Sequence, residues 1–173
     1  LEYASAAAEL CGERPDPQWS AVAAGLRIPH FADGTTREHA GYDGEMIKQA
    51  DANLLGYPLG IVTGREAQLR DLEYYERRID PRNGPAMSYS VFAIQYARLG
   101  MAEKACEMFR RSYLPNLRPP FGVFAETATS GNPYFMTGAG GMLQAVLFGF
   151  GGLEITADGL VQRPSVLPPQ WKN

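Results

Sequence analysis

The stretch from Pro85 to Leu99 constrains this chain most. Met87, Val91, Phe92, Ile94, Tyr96 and Leu99 occupy most of a helix circumference, and a helix apolar nearly all round belongs inside a protein. Gly100 stops it, and Met101 to Tyr113 follows almost at once with a different pattern. Met101, Ala105, Met108, Phe109 and Ser112 make one face, and Glu103, Lys104, Glu107, Arg110 and Arg111 point to water. So short a connection makes the two helices antiparallel. One mostly buried and one one-sided helix form an inner–outer pair.

The remaining pattern is also mainly helical. Leu1 to Leu10 favours helix but has no N-terminal cap, as if the helix were entered part-way, and Gly12 ends it. Asp16 can cap Pro17 to Leu26, with Pro17 at the first helical position. Ile28 to Gly41 reads as loop. Asp43 is predicted to cap a helix from near Gly44, with Ile47, Ala50, Leu54 and Tyr57 on one stripe and Gly56 and Pro58 at its end. Thr63 to Glu66 reads as a capping box opening another helix, whose buried side is Leu69, Leu72, Tyr75 and Ile79. Glu66/Arg70 and Glu73/Arg77 are i,i+4 pairs on its wet side.

Pro115 to Thr137 shows no period, and long structureless loops in compact domains are often functional. Gly138 to Gly141 let a helix, Met142 to Phe150, start close to a neighbour. Leu153–Thr156 and Gly159–Arg163 read as two short strands around an Ala157-Asp158-Gly159 turn. Two strands alone are not a stable sheet, so a β domain is expected to begin here.

Several classes are excluded. The length of 173 residues fits one domain or a piece of a larger one. A net charge of −3 argues against a dedicated nucleic-acid binder. Thr127 to Leu153 carries no formal charge, but its apolar part, Met142 to Leu153, falls short of the roughly 20 residues of a membrane span. Cys11 and Cys106 make neither a disulfide framework nor a zinc site and are read as two small buried hydrophobes. No dinucleotide, phosphate-loop, HExxH, CxxC or GxSxG motif occurs, and His30 and His39 read as surface-loop residues. Neither metal nor cofactor is expected.

Carboxylate chemistry remains. Glu126 is the one acid in the long loop, with Phe121, Phe124, Tyr134 and Phe135 around it in sequence. A carboxylate among aromatics bears a desolvation cost unless it is used or hydrogen-bonded, so its neutralisation is expected to leave stability equal or slightly raised. Aromatic faces also suit the C–H faces of sugar rings. The competing reading is a solvated loop glutamate. Lys48 and Gln49 fall in the first turns of the helix predicted after Asp43, off its apolar stripe. They form either a polar helix face, pairing with Asp51 and Asn53, or a donor cluster for hydroxyl groups.

Three segments in order resemble glycoside hydrolase family 65: Glu45 to Leu59 with its Lys-Gln-Ala-Asp core, Gly84 to Phe92, and Phe121 to Gly149 with Glu126 and Asn132 to Gln144. The similarity covers about residues 30 to 155 and is nearest to the acid trehalases, the kojibiose hydrolases and the glucosidase of collagen's glucosyl-galactosyl-hydroxylysine. It implies an all-α fold: the second half of an (α/α)6 barrel over residues 1–152, about six helices in inner–outer pairs. Residues 153–173 would begin a C-terminal β-sandwich. Glu126 matches the general base, and Lys48 and Gln49 match the pair binding glucose in the donor subsite. The general acid of the family lies upstream of these segments. The tryptophan expected before the base region is not in place, where this chain reads Val123-Phe124-Ala125, and Thr127 stands where an asparagine usually follows the base.

The resemblance implies an inverting hydrolase that releases glucose from an α-glucoside of trehalose or kojibiose type. One carboxylic acid protonates the glycosidic oxygen while a second carboxylate activates water on the opposite face, about 6.5–9.5 Å away. Phosphorylases of the family replace the base with a phosphate-binding loop, and the lack of basic residues between 119 and 153 favours water. The alternative from another class is a helical fragment that binds a sugar or a protein without catalysis. A half-barrel would expose a broad apolar face, so the rest of the enzyme is the expected partner, as another chain or domain.

Overall fold

The computed structural model describes residues 1–171. Among them are six α-helices and two small antiparallel hairpins. The helices are α1 (Glu2–Leu10), α2 (Pro17–Gly25), α3 (Arg65–Glu76), α4 (Ala86–Arg98), α5 (Ala102–Arg111) and α6 (Met136–Gln144), the last continuing as a π-helical turn over Ala145–Phe150. The hairpins are β1 (Leu117–Arg118) with β2 (Val123–Phe124), and β3 (Leu153–Thr156) with β4 (Gly159–Gln162). No helix among the described residues is long and apolar enough to cross a membrane.

The inner–outer reading holds for α4 and α5. Ten of the thirteen residues of α4 are buried. On α5 only Ala105, Cys106, Met108 and Phe109 are buried. Its polar face is not simply wet, because Lys104 Nζ donates to Glu76 Oε1 at 2.6 Å, and Tyr96 of α4 donates its hydroxyl to Glu76 Oε2 at 3.0 Å. Glu76 therefore ties α3, α4 and α5 together.

Asp16 caps α2 as expected, accepting from the Gln18 N–H at 2.9 Å. The β3–β4 hairpin also forms, with Leu153 opposite Gln162. The helix predicted at Met142 instead starts at Met136. Its glycines are contact points rather than a lead-in. A Cβ on Gly138 would lie 2.7 Å from Phe124 Cε1 and 3.0 Å from Ala86 Cβ, and one on Gly141 3.1 Å from Ser90 Cβ. Close packing on α4 offsets the poor helix propensity of glycine.

Other expectations fail for identifiable reasons. No helix forms between Asp43 and Pro58; only Ala52–Leu55 winds, as a 3-10 turn. The Ile47 N–H donates to the Arg78 carbonyl at 2.9 Å and the Asp80 N–H donates to the Ile47 carbonyl at 3.0 Å, which commits this backbone to a partner distant in sequence. Gly44 adds a left-handed φ of 98° that a helix cannot use. The capping box is not made: Gly64 caps α3 without a side-chain bond. Among the described residues neither Glu66/Arg70 nor Glu73/Arg77 is paired, and Arg70 donates to the Gly34 carbonyl. The loop from Pro115 contains the β1–β2 hairpin. Cys106 is buried but Cys11 is exposed, because α1 buries none of its residues.

Candidate active site

Glu126 follows β2 by two residues, and its main chain is fixed on both sides. Its carbonyl accepts from the Ala86 N–H at the start of α4 (3.2 Å) and from Asn116 Nδ2 (3.0 Å). Its N–H donates to the Asn132 carbonyl at 3.3 Å. Arg118 holds the turn beyond, donating to the carbonyls of Thr127, Ala128 and Ser130 at 3.0, 2.8 and 3.2 Å. The β1–β2 hairpin brings Asn116 and Arg118 beside these groups.

Lys48 and Gln49 lie on an irregular segment, not in the first turns of a helix. Ile47 is pinned by its bonds to Arg78 and Asp80, and the Ala52 N–H donates to Glu38 Oε2 at 3.1 Å. Lys48 Nζ reaches across and donates to Glu126 Oε1 at 3.1 Å, rather than to Asp51. Gln49 is half-buried and lines a cavity of about 400 Å³ with Tyr57, Ser90, Val91 and Gln144. The Tyr57 hydroxyl donates to Gln144 Oε1 at 2.7 Å, while the buried Ser90 hydroxyl has no partner among the described residues.

The aromatic enclosure expected around Glu126 is not formed, since Phe121 is 88% and Tyr134 79% exposed. Charge dominates instead. The Lys48 ammonium outweighs desolvation and holds the Glu126 carboxyl below its ordinary range, with Asn132 assisting. Glu38 shows the opposite. Burial, with Asp51 nearby, pushes its carboxyl up to about 7, and its Oε1 is buried without a partner among the described residues.

Sequence reasoning singled out Glu126, Lys48 and Gln49, and the fold brings the first two into contact. It missed Asn116, Arg118, Asn132 and Glu38, all in stretches without periodicity. Arg118 is the basic residue nearest in sequence to Glu126 and carried a usable signal. His30 and His39 are exposed, and among the described residues no three His, Cys, Asp or Glu side chains cluster as a metal site.

The relatives of this chain are glycosidases by name. No protein-family model matches the chain. It is 49% identical over 173 residues to the kojibiose hydrolase of Mucilaginibacter mallensis, covering 100% of this chain and 26% of that protein. It is 40% identical to the protein-glucosylgalactosylhydroxylysine glucosidase of Danio rerio, over 95% of this chain and 25% of that protein. It is 35% identical to the periplasmic/secreted acid trehalase of Candida glabrata, over 89% of this chain and 14% of that protein. The chain thus spans about a quarter or less of the length of these curated relatives.

Proposed function

We propose that this chain is part of an inverting α-glucoside hydrolase of glycoside hydrolase family 65. Residues 1–152 would be the second half of its (α/α)6 barrel and 153–173 the start of a C-terminal β domain; 172 and 173 lie outside the described residues. Glu126 is the general base. Lys48 and Gln49 hold the glucose unit being released, and the general acid comes from outside this chain.

The observation that carries the reading is the 3.1 Å contact of Lys48 with Glu126. Two residues that the family resemblance matches to different roles, 78 positions apart, meet side chain to side chain, which supports one shared site. The lysine holds this carboxyl in the ionised form that a base requires, and removing a proton from water then depends on Lys48 turning to the sugar and releasing the carboxylate when substrate binds. Its main chain, bonded to Ala86, Asn116 and Asn132, keeps it in place. Phosphate as nucleophile is disfavoured, because Arg118, the basic residue nearest in sequence to Glu126, spends its guanidinium on the carbonyls of Pro115, Leu117, Thr127, Ala128 and Ser130.

The test is the anomeric configuration of the first product. The full-length protein given methyl kojibioside, whose blocked reducing end leaves as methyl glucoside, should release its one free glucose as the β-anomer, seen by proton NMR before mutarotation. Initial α-glucose would contradict inversion, and no cleavage of kojibiose, trehalose or glucosyl-galactosyl-hydroxylysine would contradict the substrate class.

A further inference from the structure

We propose that Glu38 is a positioning residue that sets where Lys48 and Gln49 stand; the inference rests on the reading of that pair as the glucose-binding groups. Residues 48–51 have no helical ladder, so their placement depends on how the segment is held at its ends. One end is Ile47, bonded through its backbone to Arg78 and Asp80 just beyond α3. The other is Ala52, whose N–H opens the 3-10 turn and donates to Glu38 Oε2 at 3.1 Å.

The root of Glu38 is stiff. Two residues earlier, Thr36 gives its N–H to Asp71 Oδ1 (2.9 Å) and its hydroxyl to Asp71 Oδ2 (2.6 Å). The Thr36 carbonyl accepts from the Tyr75 hydroxyl at 2.6 Å. Asp71 and Tyr75 are buried residues of α3. Both ends of the sugar-binding segment are therefore referred to α3, one through backbone and one through the side chain of Glu38. That side chain keeps Oε1 buried and, among the described residues, unpartnered, an arrangement that disfavours folding and so points to another use. A carboxyl oxygen accepting from the first free N–H of the turn fixes Ala52, and with it the direction in which residues 48–51 leave.

The experiment uses the full-length protein, with calorimetric titration of glucose as the probe. Glu38→Asp is one methylene too short to reach the Ala52 N–H and should bind glucose about tenfold more weakly, the scale of one hydrogen bond. Glu38→Gln still offers an oxygen at the right reach and should restore most of that affinity. The loss in Glu38→Asp should shrink in a Lys48→Ala background and disappear once Gln49→Ala is added, which a generally loosened fold would not produce. Glu38→Asp binding like wild type, or its loss persisting in full beside Lys48→Ala, would overturn the proposal. If Lys48→Ala itself leaves glucose binding unchanged, the glucose-binding reading falls and takes this inference with it. Should Glu38→Asp not fold, Glu38→Gln decides: retained affinity upholds the hydrogen bond as the link, and a tenfold loss contradicts it.

Discussion

The ammonium of Lys48 donates to Oε1 of Glu126 at 3.1 Å and so joins two irregular segments 78 residues apart. Lys48 is 61% exposed and Glu126 26%, so the pair adds about 1 kcal/mol or less to stability. Its effect is on charge and orientation. It holds the carboxyl below its ordinary range and turns the two groups toward each other.

Lys48→Ala should therefore weaken glucose binding far more than it weakens the fold. The expected loss is about 1.5–3 kcal/mol of glucose affinity by calorimetry, with little change in Tm. The pH dependence should also change. A carboxyl held below 4.5 in the folded state contributes stability that is present above 4.5 and fades as pH falls through the folded value. Lys48→Ala should flatten that acid-side decline in a Tm-against-pH series.

Glu38 should give the opposite sign. Its carboxyl, raised from 4.5 to about 7, keeps a proton in the folded state that the unfolded chain releases across that window. Stability from this group thus falls as pH rises from about 4.5 to about 7. Glu38→Gln removes the dependence, so its Tm relative to wild type should be about 2–4 °C higher at pH 8 than at pH 5. An equal difference at the two pH values would show that Glu38 does not titrate there.

The glycines of α6 should respond oppositely to one methyl group. Gly138→Ala meets Phe124 and Ala86 and should destabilise by about 1–3 kcal/mol. Gly140→Ala meets no atom within 4 Å and should stabilise by about 0.5–1 kcal/mol through helix propensity. Urea denaturation of the two variants compares them directly.

What could be read from the sequence was what local pattern decides. The α4–α5 pair and the β3–β4 hairpin rest on dense apolar spacing and turn chemistry within a few residues. The segment from Asp43 to Pro58 misled because its stripe is real: Ala50 and Tyr57 are buried and Ile47 and Leu54 partly so, yet backbone bonds to Arg78 and Asp80 prevent the helix. The start of α6 was misplaced because glycines that let it touch α4 look like helix breakers in isolation. Loop composition marked Glu126 and position off the apolar stripe marked Lys48, but spacing could not join them; only the resemblance to a family put the two in one site. Glu38 gave no signal, since a carboxylate bound to a backbone N–H fourteen positions away leaves no periodicity.

The most direct test of the account is Glu126→Gln in the full-length protein, with kcat on kojibiose and Tm measured on the same preparation. The amide keeps shape and volume but cannot take the proton from water, so kcat should fall by roughly 10²–10⁴-fold. Loss of the Lys48 ion pair, rather than relief of a desolvation cost, governs stability, so Tm should be equal or slightly lower. Wild-type turnover in a folded Glu126→Gln protein would contradict the assignment of Glu126 as the base.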